Sequence, residues 1–157
     1  MAVDIAELAR TALIGGLEQQ RNAVHDLVKG LSPEEIWAKP VVPGNSVGHL
    51  VLHLTGNLNH FVGAQLGGTG YQRDREREFT GTERPDKERL LADLDAAVAT
   101  FRRVVSGLDA EPLARPHPEA RFGNVLQALV HLVAHFALHR GQMSYIARMV
   151  RPVISEH

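Results

Sequence analysis

Apolar residues recur at three- and four-residue steps along four long segments of this chain, and that periodicity points to helices packed against one another. In the first segment Ile5, Leu8, Ala12, Leu13, Leu17, Val24, Leu27, Val28 and Leu31 form a stripe that ends near Gly30. Asn45 or Ser46 can cap a second, which carries Val47, Leu50, Val51, Leu54, Leu58, Phe61 and Val62 and stops at Gly67-Gly68. Asp86 can cap a third with Leu90, Leu94, Val98, Phe101, Val105 and Leu108. The fourth begins around Phe122 to Asn124 and keeps Val125, Leu129, Leu132, Phe136, Met143, Ile146 and Val150 in line until Pro152. Between the first two, Ser32-Pro33-Glu34-Glu35 combines an N-cap serine, a first-turn proline and a glutamate at the third position, which predicts a short helix to Trp37. No segment reads as a convincing strand. The expected fold class is therefore all-α, a four-helix bundle, and 157 residues suit one domain over 1–157.

The stretch Thr69 to Pro85 is rich in glycine and charge and reads as a long connection, too polar for a core element. Residues 67–85 can extend to about 60 Å at ~3.3 Å per residue, against ~30 Å for a 20-residue helix. That reach lets helices two and three run parallel, joined by a crossover rather than a hairpin.

The chemistry available is bounded by what is missing. There is no cysteine, so disulfides, thiolate nucleophiles, cysteine-held iron–sulfur clusters and sulfur-ligated zinc are excluded. Against that stand nine histidines, and any side-chain metal site must use nitrogen and oxygen. A net charge of −1 offers no general attraction for nucleic acid or an anionic membrane. The start, Met1-Ala2-Val3-Asp4, lacks the basic region of a signal peptide, and no stretch reaches the roughly 18 apolar residues of a membrane span, so a cytoplasmic protein is expected.

Three histidines, His131, His135 and His139, repeat every four residues in the last helix. Neighbours in such a series sit about 40° apart around the axis and ~6 Å along it, so two imidazoles can share one ion, whereas the outer two are ~12 Å apart. Measured from the centre of the apolar stripe, His139 falls at about 40°, His135 at about 80° and His131 at about 120°, which makes His135 and His139 the inward pair. On the second helix His53 lies at about 120°, His60 at about 140° and His49 at about 160°, so His53 is the best third candidate. Three neutral imidazoles suit a borderline divalent cation and leave a coordination position open, as in catalytic rather than closed structural sites. The plainer reading makes such histidines packed core residues. By the same count His49, His60 and His131 are surface groups or supports of the ligands, and His25, His117 and His157 are exposed.

His135-Phe136-Ala137-Leu138-His139-Arg140-Gly141-Gln142 resembles the H-x-x-x-H-x-G-Q motif in the last helix of DinB-like, or DinB/YfiT-like, proteins. Asn45 to Asn57 resembles their second helix, in which a histidine follows seven residues after a capping Ser or Thr, a count that falls on His53. The charged connection Arg73-Asp74-Arg75-Glu76-Arg77-Glu78-Phe79 resembles the loop of an uncharacterised DinB-like subfamily more weakly. The likeness covers about residues 5 to 150. It implies an up-down-down-up bundle, a homodimer, and one divalent metal (Zn, Ni, Fe or Mn) held by His53, His135 and His139. Characterised DinB-like relatives include metal-dependent transferases and isomerases that use low-molecular-weight thiols.

Two functions follow as expectations. One is a metal-dependent enzyme of the thiol-dependent transferase or isomerase type, or a hydrolase, acting on a small-molecule substrate. Its thiol must come from outside, and no general base is evident. Asn57 could orient a ligand, His131 could support the site, and Arg140 or an arginine of 73–77 could meet an anionic group; the plain alternatives are an inter-helix hydrogen bond and solvated charge. The other is a non-catalytic binding or stress-related interaction protein braced by the metal, for which a fourth protein ligand would speak. Nucleic-acid binding is disfavoured, because Asp74, Glu76 and Glu78 balance the arginines of 73–77.

Overall fold

The computed structural model describes residues 2–151. Each long helix starts where a short polar side chain satisfies the free amides of the first turn. Asp4 accepts from the amides of Ala6 and Glu7 to open α1 (Ile5–Lys29). Ser32 and Glu35 close a reciprocal capping box on the short α2 (Pro33–Trp37). Ser46 caps α3 (Val47–Leu58), and the helical path continues through one wide π turn, Asn59–Ala64. Asp74 caps a short α4 (Arg75–Thr80) inside the charged connection. Asp86 opens α5 (Lys87–Ser106), followed by α6 (Ala110–Ala114). A 3₁₀ turn (Ala120–Phe122) then leads to α7 (Val125–Val150), which carries a second capping box from Asn124 and Gln127.

The four predicted stripes meet in one core, except at the start of α1, where Ile5 and Leu8 are 71% and 55% exposed and Ala12 also faces outward. Leu17 and Val28 of α1, Leu50 and Leu54 of α3, Leu94 and Phe101 of α5, and Leu129 and Phe136 of α7 are all at most 1% exposed. Fully burying such a side chain is worth about 1.5–3 kcal/mol, so the apolar stripes dominate the bundle's stability. No strand occurs among the described residues, and no helix is long and apolar enough to cross a membrane.

The helix ends fix the topology. Arg151 of α7's end bonds Gly30 at the end of α1, so these two run parallel. Lys87 at the start of α5 reaches Lys29, and Arg10 near the start of α1 reaches Leu108, so α1 and α5 are antiparallel. Asn57 of α3 meets His135 and Ser46's end of α3 faces the Gln142 region of α7, an antiparallel pair. The order is up-down-down-up, with α3 and α5 parallel and the 67–85 crossover joining them.

That crossover is more than a tether. Its helix α4 carries Glu78, which is 8% exposed and is the one buried residue in 69–85. It lies over a face of α3 that the four long helices leave uncovered, while α2 covers another through Trp37 against His49. For this reason α3 is buried nearly all round, and its wheel angle is a poor guide to exposure.

Candidate metal centre

α7 presents His135 and His139 one turn apart, and antiparallel α3 presents His53 opposite them. Their Nε2 atoms converge: His135 lies 3.0 Å from His139 and 3.4 Å from His53. One nitrogen from each of the three rings falls within 4.8 Å of the others. Ligands at ~2.1 Å from a tetrahedral ion stand ~3.4 Å apart, so this donor set has the size and the chemistry of a three-imidazole site.

The outer nitrogens are held as well. His139 Nδ1–H donates to Gln142 Oε1 at 2.7 Å, and His53 Nδ1–H donates to Glu78 Oε2 at 3.0 Å. Both bonds put the ring proton outside and leave the Nε2 lone pair facing the cluster. The side-chain amide of Asn57 meets His135 Nδ1 at 2.9 Å. Arg73 ties the partners together: Nε and Nη2 grip the two oxygens of Glu78 at 2.6 and 2.8 Å, and Nη1 donates to Asn57 Oδ1 at 3.1 Å.

Electrostatics favour the neutral form of His135 and His139 and the charged form of Glu78. Burial, reinforced by His139, His53, His131 and Arg73, lowers the His135 pKa to about 4. Burial, with a smaller push from His53, lowers His139 too, although its bond to Gln142 works the other way. Burial alone would push Glu78 up, but hydrogen bonds from Arg73 and His53 outweigh it and hold the carboxyl below its usual range. Neutral imidazoles are the form that binds a cation.

The cluster forms the base of a recess of about 360 Å³, whose walls include Phe61, Phe79, Phe122, Arg75 and Arg121. Residues 12–151, which include every residue lining this recess, match the family model of the mycothiol-S-transferases. The chain belongs to that family. This places the chain within the DinB-like superfamily that its motifs resemble. No curated protein matches it.

Two solved structures share the bundle of this mycothiol-S-transferase family member. A conserved protein from Enterococcus faecalis superposes with a TM-score of 0.74 at 17% identity, covering 95% of this chain and 98% of that one. YfiT from Bacillus subtilis, described as a "probable metal-dependent hydrolase with an unusual four-helix bundle topology", gives 0.71 at 19% identity over 88% of this chain and 86% of its own. At these identities the likeness is one of fold.

The remaining sequence expectations divide. Asn57 does face the cluster, and His131 lines the same recess while remaining exposed. Arg140 does not: its guanidinium turns away to Gln20 of α1 at 3.0 Å. His49, expected at the surface or behind the ligands, is 2% exposed, sealed under Trp37 and bonded to Ser46, because α2 covers that side of α3. His117, expected to be exposed, is 3% exposed; the 115–124 loop folds back so that its Nε2–H donates to the carbonyl of Phe61. His25 is half-buried and paired with Asp95 at 2.7 Å, and His157 lies outside the described residues. Arg73 and Glu78 were hidden among alternating charges that read as a solvated loop. The one local signal was Asp74, whose side chain caps the turn of α4 that carries Glu78 inward.

Proposed function

We propose that this protein is a divalent-metal-dependent transferase that joins the sulfur of a low-molecular-weight thiol to a small electrophile, with His53, His135 and His139 as the metal ligands. One observation carries the reading: the three inward nitrogens lie at the base of an open recess, and the nearest carboxylate, Glu78, is turned to the far side of His53. A metal that merely braced the bundle would call for a fourth protein ligand, and none joins the cluster among the described residues. The family match favours a thiol cosubstrate, and the absence of cysteine requires the sulfur to come from solution.

A divalent ion bound there supplies a Lewis acid that lowers the pKa of a thiol or water molecule brought to it. The chain's own groups prepare the place. Glu78 and Gln142 hold His53 and His139 by their outer nitrogens, and Arg73 and Asn57 fix the spacing between α3 and α7. Phe61, Phe79 and Phe122 limit the water that reaches the recess and offer apolar contact to a substrate. Zn, Ni, Fe and Mn all suit the nitrogen donors. We include a homodimer in this reading, supported by Leu138, Tyr145 and Met149, which α7 leaves 59%, 66% and 45% exposed; sedimentation of the purified protein tests it.

The deciding experiment is metal analysis of the purified protein followed by a screen of electrophiles against several small thiols, with His53→Ala as the control. About one ion per chain and turnover lost with His53→Ala is the expected result. A tightly bound ion with no turnover for any thiol would favour the brace, and a protein that binds no divalent ion would end both readings.

A further inference from the structure

The recess above the histidines has a one-sided charge. Its lining contains three arginines, Arg73, Arg75 and Arg121, and no Asp or Glu. Arg73 is neutralised by Glu78 behind the wall. The other two are not answered in the same way. In the crossover Arg77 pairs with Glu83, whereas Arg75 forms no ion pair among the described residues and instead lies over the Phe79 ring, 5.7 Å from its centroid. Arg121, on the 3₁₀ turn before α7, has only a loose contact of 3.7 Å with Glu119. Its guanidinium stacks over Phe122 and Phe61, 4.6 and 5.3 Å from their centroids.

Each of these cations is thus laid on an aromatic face at the wall of the same recess. Stacking orients a planar guanidinium while leaving its edge N–H donors free, which is the geometry that receives a carboxylate in a forked pair. A cation in the cluster would add to the positive field rather than offset it.

We infer that the small molecule this site acts on carries a carboxylate on a flat apolar body. The charged end is received by Arg75 and Arg121, and the body lies against Phe79 and Phe122 with its reactive atom toward the histidines. This rests on the thiol-transfer reading of the same recess and adds the class of electrophile it selects.

A matched pair of electrophiles tests it: 4-(chloromethyl)benzoate and 4-(chloromethyl)benzamide. In each the thiolate sulfur forms a bond to the benzylic carbon, chloride leaves with the electron pair of the C–Cl bond, and the thiol proton passes to solvent. The metal-loaded wild type is expected to favour the carboxylate at least tenfold in kcat/KM, through KM. Arg75→Gln and Arg121→Gln should each reduce that preference several-fold, while Arg77→Gln, already paired outside the recess, should keep it. A second arm needs no turnover. Calorimetry with benzoate and benzamide on the metal-free full-length chain should show tighter binding of benzoate, weakened by Arg121→Gln and by raised salt.

Equal kcat/KM for the two electrophiles in an active enzyme overturns the inference and leaves the thiol-transfer reading standing. If neither electrophile reacts and no metal binds, the thiol-transfer reading fails; the calorimetric arm then decides the charge preference alone, and equal binding of benzoate and benzamide refutes it.

Discussion

Arg73 and Glu78 form a doubly hydrogen-bonded ion pair, with side chains 9% and 8% exposed, in a segment whose sequence is almost wholly polar. Either charge alone would be costly at that depth. Arg73→Met, which leaves the carboxylate buried without its partner, should therefore destabilise the protein by about 3–5 kcal/mol in urea unfolding. Adding Glu78→Met should restore much of that loss, because the second substitution removes the stranded charge. A double variant no more stable than Arg73→Met would show that the pair is not acting as a unit.

Glu78 should also be felt at the histidines. Glu78→Gln keeps an acceptor for His53 Nδ1 but weakens it, and a chelator-competition titration should find metal affinity lower by roughly 10–100-fold. Gly56→Ala offers an independent route to the same place. A methyl on Gly56 would collide with Oε1 of Glu78 and lie 2.9 Å from its Cδ, so the carboxylate must move off. Helix propensity alone favours alanine by roughly 1 kcal/mol, yet affinity should fall as it does in Glu78→Gln.

The histidine ladder on α7 divides sharply. His135→Ala and His139→Ala should each abolish stoichiometric metal, measured by elemental analysis after dialysis. His131→Ala should retain it, since its ring stacks beside His135 with centroids 6.1 Å apart and takes no part in the three-nitrogen cluster. Loss of metal from His131→Ala would mean that the ligand set has been chosen one turn too late.

Acid should loosen the fold through His49. Burial, with Lys39 and Arg84 nearby, lowers its pKa from 6.5 to about 4. Between those values the unfolded chain holds the extra proton, so stability is full above pH 6.5 and declines as pH falls toward 4. The loss from this residue approaches about 3 kcal/mol. His135, with its pKa also about 4, adds in the same direction. His49→Phe keeps an aromatic edge for Trp37 and removes the titration. Urea midpoints at pH 7 and pH 4.5 should therefore differ less in that variant than in the wild type.

The legible and illegible parts of this molecule separate on physical grounds. α1, α3, α5 and α7 were readable because each must bury one apolar stripe, and a stripe is a one-dimensional pattern. His135 and His139 were readable as a pair because a helix presets their spacing, and the length of 67–85 permitted the parallel α3 and α5 that the fold contains. His53 was a narrower choice: at about 120° from the stripe, its position depends on what packs over α3, and that is α4. The same blindness misplaced His49, which α2 covers, and His117, which a folded-back loop buries. Arg73 and Glu78 were unreadable for a further reason. Burial of a charge depends on a partner, and among six consecutive charged residues nothing local says which two will pair.

The crossover also bears on how the protein opens. Between residues 69 and 85 only Glu78 is buried, so this segment is fastened by an ion pair rather than by an apolar stripe. Lifting it returns both charges to water, and their hydration offsets much of the attraction that is broken. The four long helices have no such compensation. Residues 69–85 therefore form the low-energy unit of the structure: their amides should exchange with solvent through a local excursion while the bundle stays closed, and His53, 6% exposed beneath them, should become more accessible without global unfolding.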